Sequence, residues 1–198
     1  MSTKVAIILG AGTGERMGGS KALLVVDDKP LALAHVARAL EAGCDRAVLV
    51  TRPEAAAKLG EIARATVLVA ETAGQAESLQ VAARKIGMRG DVRVLVTPVD
   101  CPPVSVATIH ALFAALEDGA NVATAHRAGK GGHPVACRSS VLAPFASKDP
   151  APPPTLRDVI AKLETSRTRV EVDDPRVGID LDTPADVLAL TGAPPRFL

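Results

Sequence analysis

Four short apolar runs in the first half of the chain are nearly unbroken by polar residues. They are rich in β-branched residues and lie at 5–9 (VAIIL), 46–50 (RAVLV), 66–70 (TVLVA) and 92–96 (VRVLV). Such runs are typical of strands buried on both faces of a parallel sheet. Segments with apolar residues at helical spacing lie between them, at 30–43, 53–64 and 75–87. This alternation predicts a βαβαβ unit.

The second half of the chain is less regular. A helix is predicted over 105–119 with Ser105 as its N-cap, and a flexible glycine loop is predicted at 128–137. The remaining predicted elements are a helix at 155–164, strands at 169–173 and 178–182, and a helix at 183–190 capped by Thr183. We expect residues 191–198 to be loose.

Length and composition indicate one domain. The 198 residues suffice for one α/β core, and no shift in composition marks a second unit. We therefore predict a single α/β domain, 1–198, with a mostly parallel central sheet. In such a sheet, ligands bind at the carboxyl ends of the strands, so the loop after the first strand should lie at the binding edge.

Charge and aromatic content narrow the possible functions. Lys and Arg total 23, Asp and Glu total 22, and the formal net charge is +1, with the two signs interleaved. Nucleic-acid binding calls for a basic patch, and single-strand binding also calls for aromatic stacking. Aromatic residues make up only 2% of this chain, and it has no Trp or Tyr. We therefore expect no nucleic-acid partner.

Two further features bear on location and redox state. The first apolar stretch is too short for a signal peptide or a membrane span, so we expect a cytoplasmic protein with no membrane partner. Cys44, Cys101 and Cys137 are odd in number and form no CxxC pair, which predicts reduced thiols rather than disulfides or a zinc site. Cys101 has no paired base in the sequence, so we interpret it as structural.

The glycine-rich stretch ILGAGTGERMGGSK, residues 8–21, follows the first predicted strand. It fails the Walker A pattern, because Lys21 comes after Ser20. It also fails the dinucleotide GxGxxG pattern, because Glu15 or Met17 stands where the third glycine is needed. Neither a P-loop nor an NAD-binding loop is therefore predicted.

A third interpretation of this loop includes its cations. Gly10, Gly12 and Gly14 expose backbone N–H groups, and Arg16 and Lys21 bring positive charge to the same place. A nucleoside triphosphate that releases pyrophosphate needs several cationic donors, so this pattern predicts a triphosphate site. The alternative is a flexible glycine turn with solvated charges.

Four motifs resemble a known family. LGAGTGERMGGSKALL is similar to the LxAGxGxRMGxxK signature of Rossmann-like nucleotidyltransferases, and VTPVDCPPV (96–104) resembles the family's aspartate-proline motif. GGHPV (131–135) and GIDLDTPADV (178–187) resemble motifs of the molybdenum cofactor cytidylyltransferases. The resemblance spans residues 4 to about 190. It implies a three-layer Rossmann-like fold, with a nucleotide-binding half at about 1–120 and an acceptor-binding, closing half at about 121–190.

Three aspartates are candidates for a magnesium site. Asp100 follows a buried strand at the same edge as the glycine loop, where a carboxylate facing a triphosphate would anchor Mg²⁺. It could instead only hydrogen-bond its own turn. Asp180 and Asp182 alternate in a predicted strand, so both should point to one face. The resemblance implies that they complete the metal site with Asp100, although Asp182 could instead only cap the following helix.

The resemblance also implies the substrates. It assigns catalysis to Arg16, Lys21 and Asp100. It assigns nucleotide contacts to Leu9, Gly10, Ala11, Gly12, Thr13, Gly14, Gly74 and Ser78. Ser78 could instead be a plain helix cap.

By resemblance, the alanine at position 11 implies CTP as the nucleotide, with GTP as the alternative. Lys130 and His133 would face a phosphorylated acceptor, molybdopterin by resemblance, and a molybdoenzyme maturation protein is a possible partner. A sugar or polyol phosphate acceptor remains open. A nucleotide-sensing module without turnover also remains open.

Overall fold

The central sheet is built mostly from parallel strands. The computed structural model describes residues 2–86, 91–147 and 152–198. Within them, seven strands form one sheet in the order β5-β4-β1-β6-β8-β7-β9. These strands are β1 (Thr3–Gly10), β4 (Arg46–Thr51), β5 (Ala65–Val69), β6 (Val92–Pro98), β7 (Val122–Arg127), β8 (Lys130–Arg138) and β9 (Arg167–Glu171), and a separate pair is formed by β2 (Val25–Val26) and β3 (Lys29–Pro30).

Parallel pairing dominates this sheet. β1 pairs in parallel with β4 and β6, β4 with β5, and β7 with β9, whereas β8 runs antiparallel to both of its neighbours. The predicted mostly parallel α/β sheet is therefore confirmed. The helices are α1 (Leu31–Glu41), α2 (Pro53–Leu59), α3 (Gln75–Ile86), α4 (Val106–Glu117), α5 (Ala143–Ala146), α6 (Leu156–Ala161) and α7 (Pro184–Thr191).

Apolar layers on both faces of the sheet explain the unbroken apolar runs. Along β1, Ala6 and Ile8 pack into a core with α1, α2, α4 and α7. Val5, Ile7 and Leu9 point the other way, into a core with α3, α5 and α6. Because successive side chains of a strand alternate between faces, a strand covered on both faces must be apolar throughout. The result is the predicted three-layer arrangement. In the described ranges, no helix is long and apolar enough to traverse a lipid bilayer.

The predicted end of α2 needs adjustment. α2 stops at Leu59 rather than continuing to residue 64, because Gly60 has a φ of 63° and its N–H bonds back to the Ala56 carbonyl at 3.0 Å. α3 begins at Gln75 as predicted and is described to Ile86, and residue 87 lies outside the described residues. The predicted N-cap of α4 is confirmed, since the Ser105 hydroxyl accepts from the Thr108 N–H at 3.2 Å.

The predicted glycine loop at 128–137 is wrong. Residues 130–138 are strand β8, which forms a two-residue hairpin with β7. Ala128 and Gly129 make the turn, with φ values of 50° and 76°. Positive φ at both positions is typical of a type I′ turn, which matches the twist of the flanking strands, so the glycines extend a hairpin rather than a loop.

The predicted strand at 178–182 is also wrong. Its backbone has no neighbouring strand among the described residues. Its hydrogen bonds go elsewhere, from the Leu181 N–H to the Asp100 carbonyl at 2.6 Å and from the Asp182 N–H to the Asp186 carboxylate at 3.1 Å. Strand alternation therefore gives no basis for placing Asp180 and Asp182 on one face.

Residues 191–198 are not loose, contrary to our expectation. The Arg196 carbonyl accepts from the Val25 N–H at 2.8 Å, and the Leu198 N–H donates to the Leu23 carbonyl at 3.0 Å. Phe197 forms an isolated β-bridge with Leu24 and packs against the core. The segment is ordered because both its backbone and its ring have partners in the first forty residues.

Asp174 anchors the segment that precedes α7. Its buried carboxylate accepts from the Ser105 N–H at 2.7 Å, the Thr108 hydroxyl at 2.8 Å and the Arg176 N–H at 3.0 Å. Burial works to raise the pKa of Asp174, but the hydrogen bonds from Ser105, Arg176 and Thr108 outweigh it and lower the pKa. The carboxylate thus ties residues 174–176 to the start of α4.

We predict that Asp174→Asn lowers the free energy of unfolding by about 1–3 kcal/mol near neutral pH, because the amide cannot accept all three hydrogen bonds. Since the pKa of Asp174 is lowered on folding, its stabilisation is present above pH 3.8 and is lost as pH falls through the folded-state pKa. Urea unfolding at several pH values measures both effects. Asp173→Asn is the matched control, because the Asp173 side chain is 99% exposed. Equal stability of the two variants would contradict the role given to Asp174.

Candidate active site

A cleft of about 390 Å³ opens at the carboxyl ends of β1, β4 and β6. The strand register sets its position, since Gly10 at the end of β1 pairs with Thr51, and Leu9 pairs with Pro98. The lining residues are Leu9, Ala11, Gly12, Thr13, Gly14, Arg16, Met17, Lys21, Arg52, Thr72, Ala73, Gly74, Gln75, Ser78, Val99, Asp100 and Asp182. The loops after three adjacent parallel strands thus meet at one edge, where α/β sheets bind ligands.

The glycine loop forms the floor of this cleft. Gly14 has a φ of 66°, and a Cβ added there would lie 1.9 Å from the Gly19 carbonyl oxygen, so no other residue fits without rearrangement. The Gly14 carbonyl accepts from the N–H groups of Met17 and Gly19, at 2.9 and 3.3 Å, which folds the loop back on itself. A Cβ added at Gly12 would meet nothing within 4 Å, so the loop is open on the cleft side.

An ion pair connects the glycine loop to the far end of the chain. Lys21 Nζ lies 2.6 Å from Asp182 Oδ1, and both side chains line the cleft. The lysine side chain is 18% exposed and the aspartate 49%. Asp182 does not cap α7, because the cap is a reciprocal box between Thr183 and Asp186. Asp182 is therefore free of the capping role and is held beside the lysine.

Asp100 projects from the turn after β6. Its carboxylate accepts from Gln75 Nε2 at 3.2 Å, across the cleft on α3, rather than from an N–H of its own turn. Burial raises the pKa of Asp100; Lys21 and His133 act to lower this pKa, and Asp180 and Asp182 add to the increase. The structure therefore brings these charged groups into one electrostatic neighbourhood.

A buried histidine supports the turn that carries Asp100. His35 on α1 donates from Nε2 to the Cys101 carbonyl at 2.8 Å. Desolvation lowers the pKa of His35 to about 4, so the ring is neutral near pH 7. Burial raises the pKa of Cys101 to about 12, and its thiol donates to the Pro98 carbonyl at 3.1 Å. Cys101 is thus a buried, protonated packing residue, as predicted.

The start of α3 forms the opposite wall. Ser78 bonds to the Thr72 hydroxyl at 2.7 Å and donates to the Gly74 carbonyl at 3.1 Å. The Ser78 hydroxyl donates to a carbonyl and is not an N-cap, while the Glu77 carboxylate accepts from the Ala73 N–H just before the helix at 2.8 Å. Gly74 and Ser78 line the cleft as the resemblance implies, whereas Glu77 is not among the lining residues.

Four of the predicted site residues do not line the cleft: Gly10, Lys130, His133 and Asp180. Lys130 is exposed at the start of β8. His133 is half-buried, and its Nδ1 has no hydrogen-bond partner among the described residues. Burial lowers the pKa of His133, and the charges of Asp100 and Asp180 act in the opposite direction. Across residues 2–86, 91–147 and 152–198, no three side chains of His, Cys, Asp or Glu are grouped to hold a metal by themselves.

The sequence analysis missed several residues of the site. Arg52 follows the second predicted strand, lines the cleft and donates from Nε to the Ala11 carbonyl at 3.0 Å. Its place at a strand's carboxyl end was a usable signal. Gln75 was identifiable only as the first residue of a predicted helix. His35 carried no signal at all, because a histidine within an apolar helix resembles any partly buried polar residue.

The comparison with known families fits this geometry. The sequence model of the MobA-like NTP transferase domain matches residues 6–167, which include the glycine loop and Asp100. The chain belongs to this family. The expectation that it is a nucleotidyltransferase is thereby confirmed. A search among proteins with curated descriptions finds no match.

Solved structures share the fold of this NTP transferase. The Rv0371c homolog from Mycobacterium sp. strain JC1 has 23% identity and a TM-score of 0.78, with 94% of each chain covered. Rv0371c of Mycobacterium tuberculosis H37Rv, in complex with manganese, has 22% identity and a TM-score of 0.73, over 97% of this chain and 100% of that chain. A nucleotidyl transferase from Methanothermobacter thermautotroptrophicus has 22% identity and a TM-score of 0.72, over 97% of each chain. The Rossmann-like fold is thus supported, while the cytidylyltransferase branch stays a prediction.

We predict that this NTP transferase loses stability between about pH 6.5 and pH 4. The pKa of His35 is lowered on folding, so the unfolded chain takes up a proton in this interval while the folded chain does not. The loss from His35 alone should approach about 3 kcal/mol.

Urea unfolding of His35→Asn and of the wild type over this pH range isolates the contribution of His35 to the pH dependence of stability, because His126 and His133 remain in both proteins. His110→Asn, at an exposed position of α4, is the control and should keep the wild-type slope. If the free energy of unfolding of His35→Asn fell with pH as steeply as that of the wild type, the role given to His35 would be contradicted.

Proposed function

We propose that this nucleotidyltransferase moves CMP from CTP to a phosphorylated acceptor and releases pyrophosphate. One observation carries the proposal: the open glycine loop, Arg16 and Lys21 share a single cleft with Asp100 and Asp182. Backbone N–H groups and cations suit the phosphates, and carboxylates suit a divalent cation bound to those phosphates. The N–H groups and cations alone, or the carboxylates alone, would not favour a metal-bound triphosphate over another anion.

The choice of CTP rests on Ala11. This residue lines the cleft within the glycine loop, and its carbonyl accepts from Arg52, which is consistent with contact to the nucleotide rather than the acceptor. By resemblance, alanine at this position favours cytidine, and GTP is the alternative. Leu9, Gly10, Thr13, Gly74 and Ser78 complete the proposed nucleotide contacts.

Asp100, Asp180 and Asp182 are the residues we propose to hold Mg²⁺. Asp100 and Asp182 both line the cleft and fit the ion, since Mg²⁺ takes one or two carboxylates and completes its shell with phosphate oxygens and waters; Asp180 does not line the cleft and rests on the resemblance. Desolvation of Asp100, which raises its pKa, is a further reason for a cation to bind there. When bound, Mg²⁺ would polarise the phosphoryl oxygens and neutralise developing charge.

The chain's own residues account for the rest of the reaction. A phosphate oxygen of the acceptor attacks the α-phosphorus of CTP, the bond to pyrophosphate breaks, and the acceptor keeps CMP. Arg16 and Lys21 bind the departing pyrophosphate, and the glycine-loop amides orient it. The acceptor phosphate is already an anion at pH 7, so no general base is assigned. Lys21 must share its charge between Asp182 and the triphosphate.

The acceptor is proposed to be molybdopterin. His133 and Lys130 lie on β8, in the acceptor half of the proposed domain, and can supply hydrogen bonds to a phosphate. A molybdoenzyme maturation protein would then be the downstream partner. Pyrophosphate release should be measured with each nucleoside triphosphate against molybdopterin, sugar phosphates and polyol phosphates. Turnover with CTP and molybdopterin alone supports the proposal, and CTP binding without any turnover favours a sensor.

We predict that Lys21→Ala and Asp100→Ala each reduce turnover by about 10²–10³, because each removes a charged group from the reacting phosphates. Both variants should stay folded, which far-UV circular dichroism and thermal unfolding check. Lys85→Ala and Asp118→Asn, at exposed helix-end positions, are the matched controls and should retain the wild-type rate. Near-normal rates in the Lys21 and Asp100 variants would remove these residues from the mechanism.

A further inference from the structure

Residues 196–198, here called the Phe197 segment, run beside the residues that follow Lys21. The Val25 N–H donates to the Arg196 carbonyl at 2.8 Å, and the Leu198 N–H donates to the Leu23 carbonyl at 3.0 Å. Leu24, which is fully buried, forms an antiparallel β-bridge with Phe197 between these two bonds. Lys58 of α2 adds a hydrogen bond to the Leu198 carbonyl at 2.7 Å. The segment is therefore held both by residues 23–25 and by Lys58 of α2.

The ring of Phe197 lies against the closing residue of the glycine loop. A Cβ added to Gly19 would stand 3.0 Å from Phe197 Cε1 and 3.1 Å from Cδ1 and Cζ. The φ of Gly19 is outside the left-handed region, so alanine suits its backbone and only the ring stands in the way. Gly19 also donates to the Gly14 carbonyl at 3.3 Å. Phe197 thus packs on the point where the loop closes.

Lys21 lies between two points that the Phe197 segment contacts. Gly19, two residues before it, meets the Phe197 ring, and Leu23, two residues after it, accepts from Leu198. Lys21 itself begins the 3-10 turn Lys21–Leu23. The segment does not line the cleft, so its effect on Lys21 passes through the backbone.

We propose that Phe197 is a positioning residue for the triphosphate site. It holds the Gly14–Gly19 turn and the backbone of Lys21 in place before the nucleotide arrives. This inference rests on the proposed function of the cleft. A glycine-rich loop loses more conformational freedom on ordering than other sequences do, so ordering it in advance reduces the entropy lost on binding. Nucleotide affinity is the property that should depend on Phe197.

The first test compares Phe197→Ala with Leu198→Ala, assayed by CTP-dependent pyrophosphate release and by calorimetric titration of CTP in the presence of Mg²⁺. Phe197→Ala should raise KM and Kd for CTP about five- to tenfold, the equivalent of ordering one or two side chains, with little change in kcat. Leu198 is the matched control, because its side chain is 48% exposed while its backbone N–H remains in the variant. A lowered Tm with unchanged KM and Kd would overturn the proposal.

A double-mutant cycle tests the contact itself. Gly19→Ala alone should displace the ring and raise KM for CTP, whereas the same change made in Phe197→Ala should cost little more, because the Cβ enters the vacated space. Effects that simply add would overturn direct packing. If Phe197→Ala fails to fold, Phe197→Leu, which keeps apolar volume but not the ring, takes its place in the cycle.

Amide hydrogen exchange separates this inference from the proposed function, because it needs no nucleotide. Protection of the amides at 14–21 should fall in Phe197→Ala and stay at the wild-type level in Leu198→Ala. If the wild type neither binds nor uses CTP while exchange responds as expected, the proposed function fails and the positioning contact stands. If CTP is used and exchange at 14–21 does not respond to Phe197→Ala, the positioning role fails alone.

Discussion

The in-register parallel pairing of β1 with β4 and β6 is the constraint on which the rest of the site depends. It brings Gly10, Thr51 and Pro98 to one edge of the sheet, so the three loops that follow them open into the same cleft. Parallel strands can share an edge in this way because their crossover helices occupy the two faces, as α1 and α3 do here. The cleft is therefore a consequence of topology before any side chain is considered.

A charged side chain from outside the region of β1, β4 and β6 completes the site. The Lys21–Asp182 pair joins residues 161 positions apart, so the segment before α7 closes a cleft that the first strands opened. A partly exposed ion pair adds little to stability, and its importance is positional. It keeps a cation and a carboxylate side by side at the place where a metal-bound polyphosphate would need both. Lys21 is thus held at the cleft by a carboxylate from the far end of the chain.

Residues outside the cleft hold the residues that line it. His35 supports the Asp100 turn from below, Asp174 ties the segment before α7 to α4, and Phe197 packs on the closure of the glycine loop. Each support is buried or half-buried and contacts a segment that leads into residues lining the cleft, such as Asp100, Lys21 and Asp182. Rigid supports beneath accessible polar groups are the general arrangement by which folded proteins preorganise a site.

Local patterns succeeded where the local sequence decides the outcome. The apolar runs predicted four parallel strands. Burial on both faces requires apolar residues at every position in the inner strands, whereas β5 at the sheet edge is only partly buried. The Ser105 and Thr183 caps followed from side chains that satisfy N–H groups within three residues. Local patterns gave wrong predictions at two places. At 128–137, Ala128 was not recognised as a residue with positive φ, and at 178–182 the alternation of polar and apolar residues was present but no described strand lies alongside.

The sequence by itself determined the α/β class, the glycine loop and the types of charged group in the cleft, because strand and helix periodicity and loop composition are properties of neighbouring residues. Only the tertiary structure decided that Asp182 meets Lys21, that Gln75 meets Asp100, that His35 meets the Cys101 carbonyl, and that Phe197 meets Gly19. These contacts join residues 25 to 178 positions apart, the last being Gly19 with Phe197, and nothing in a local pattern specifies them. They depend on how layers and loops pack, which is a property of the whole fold.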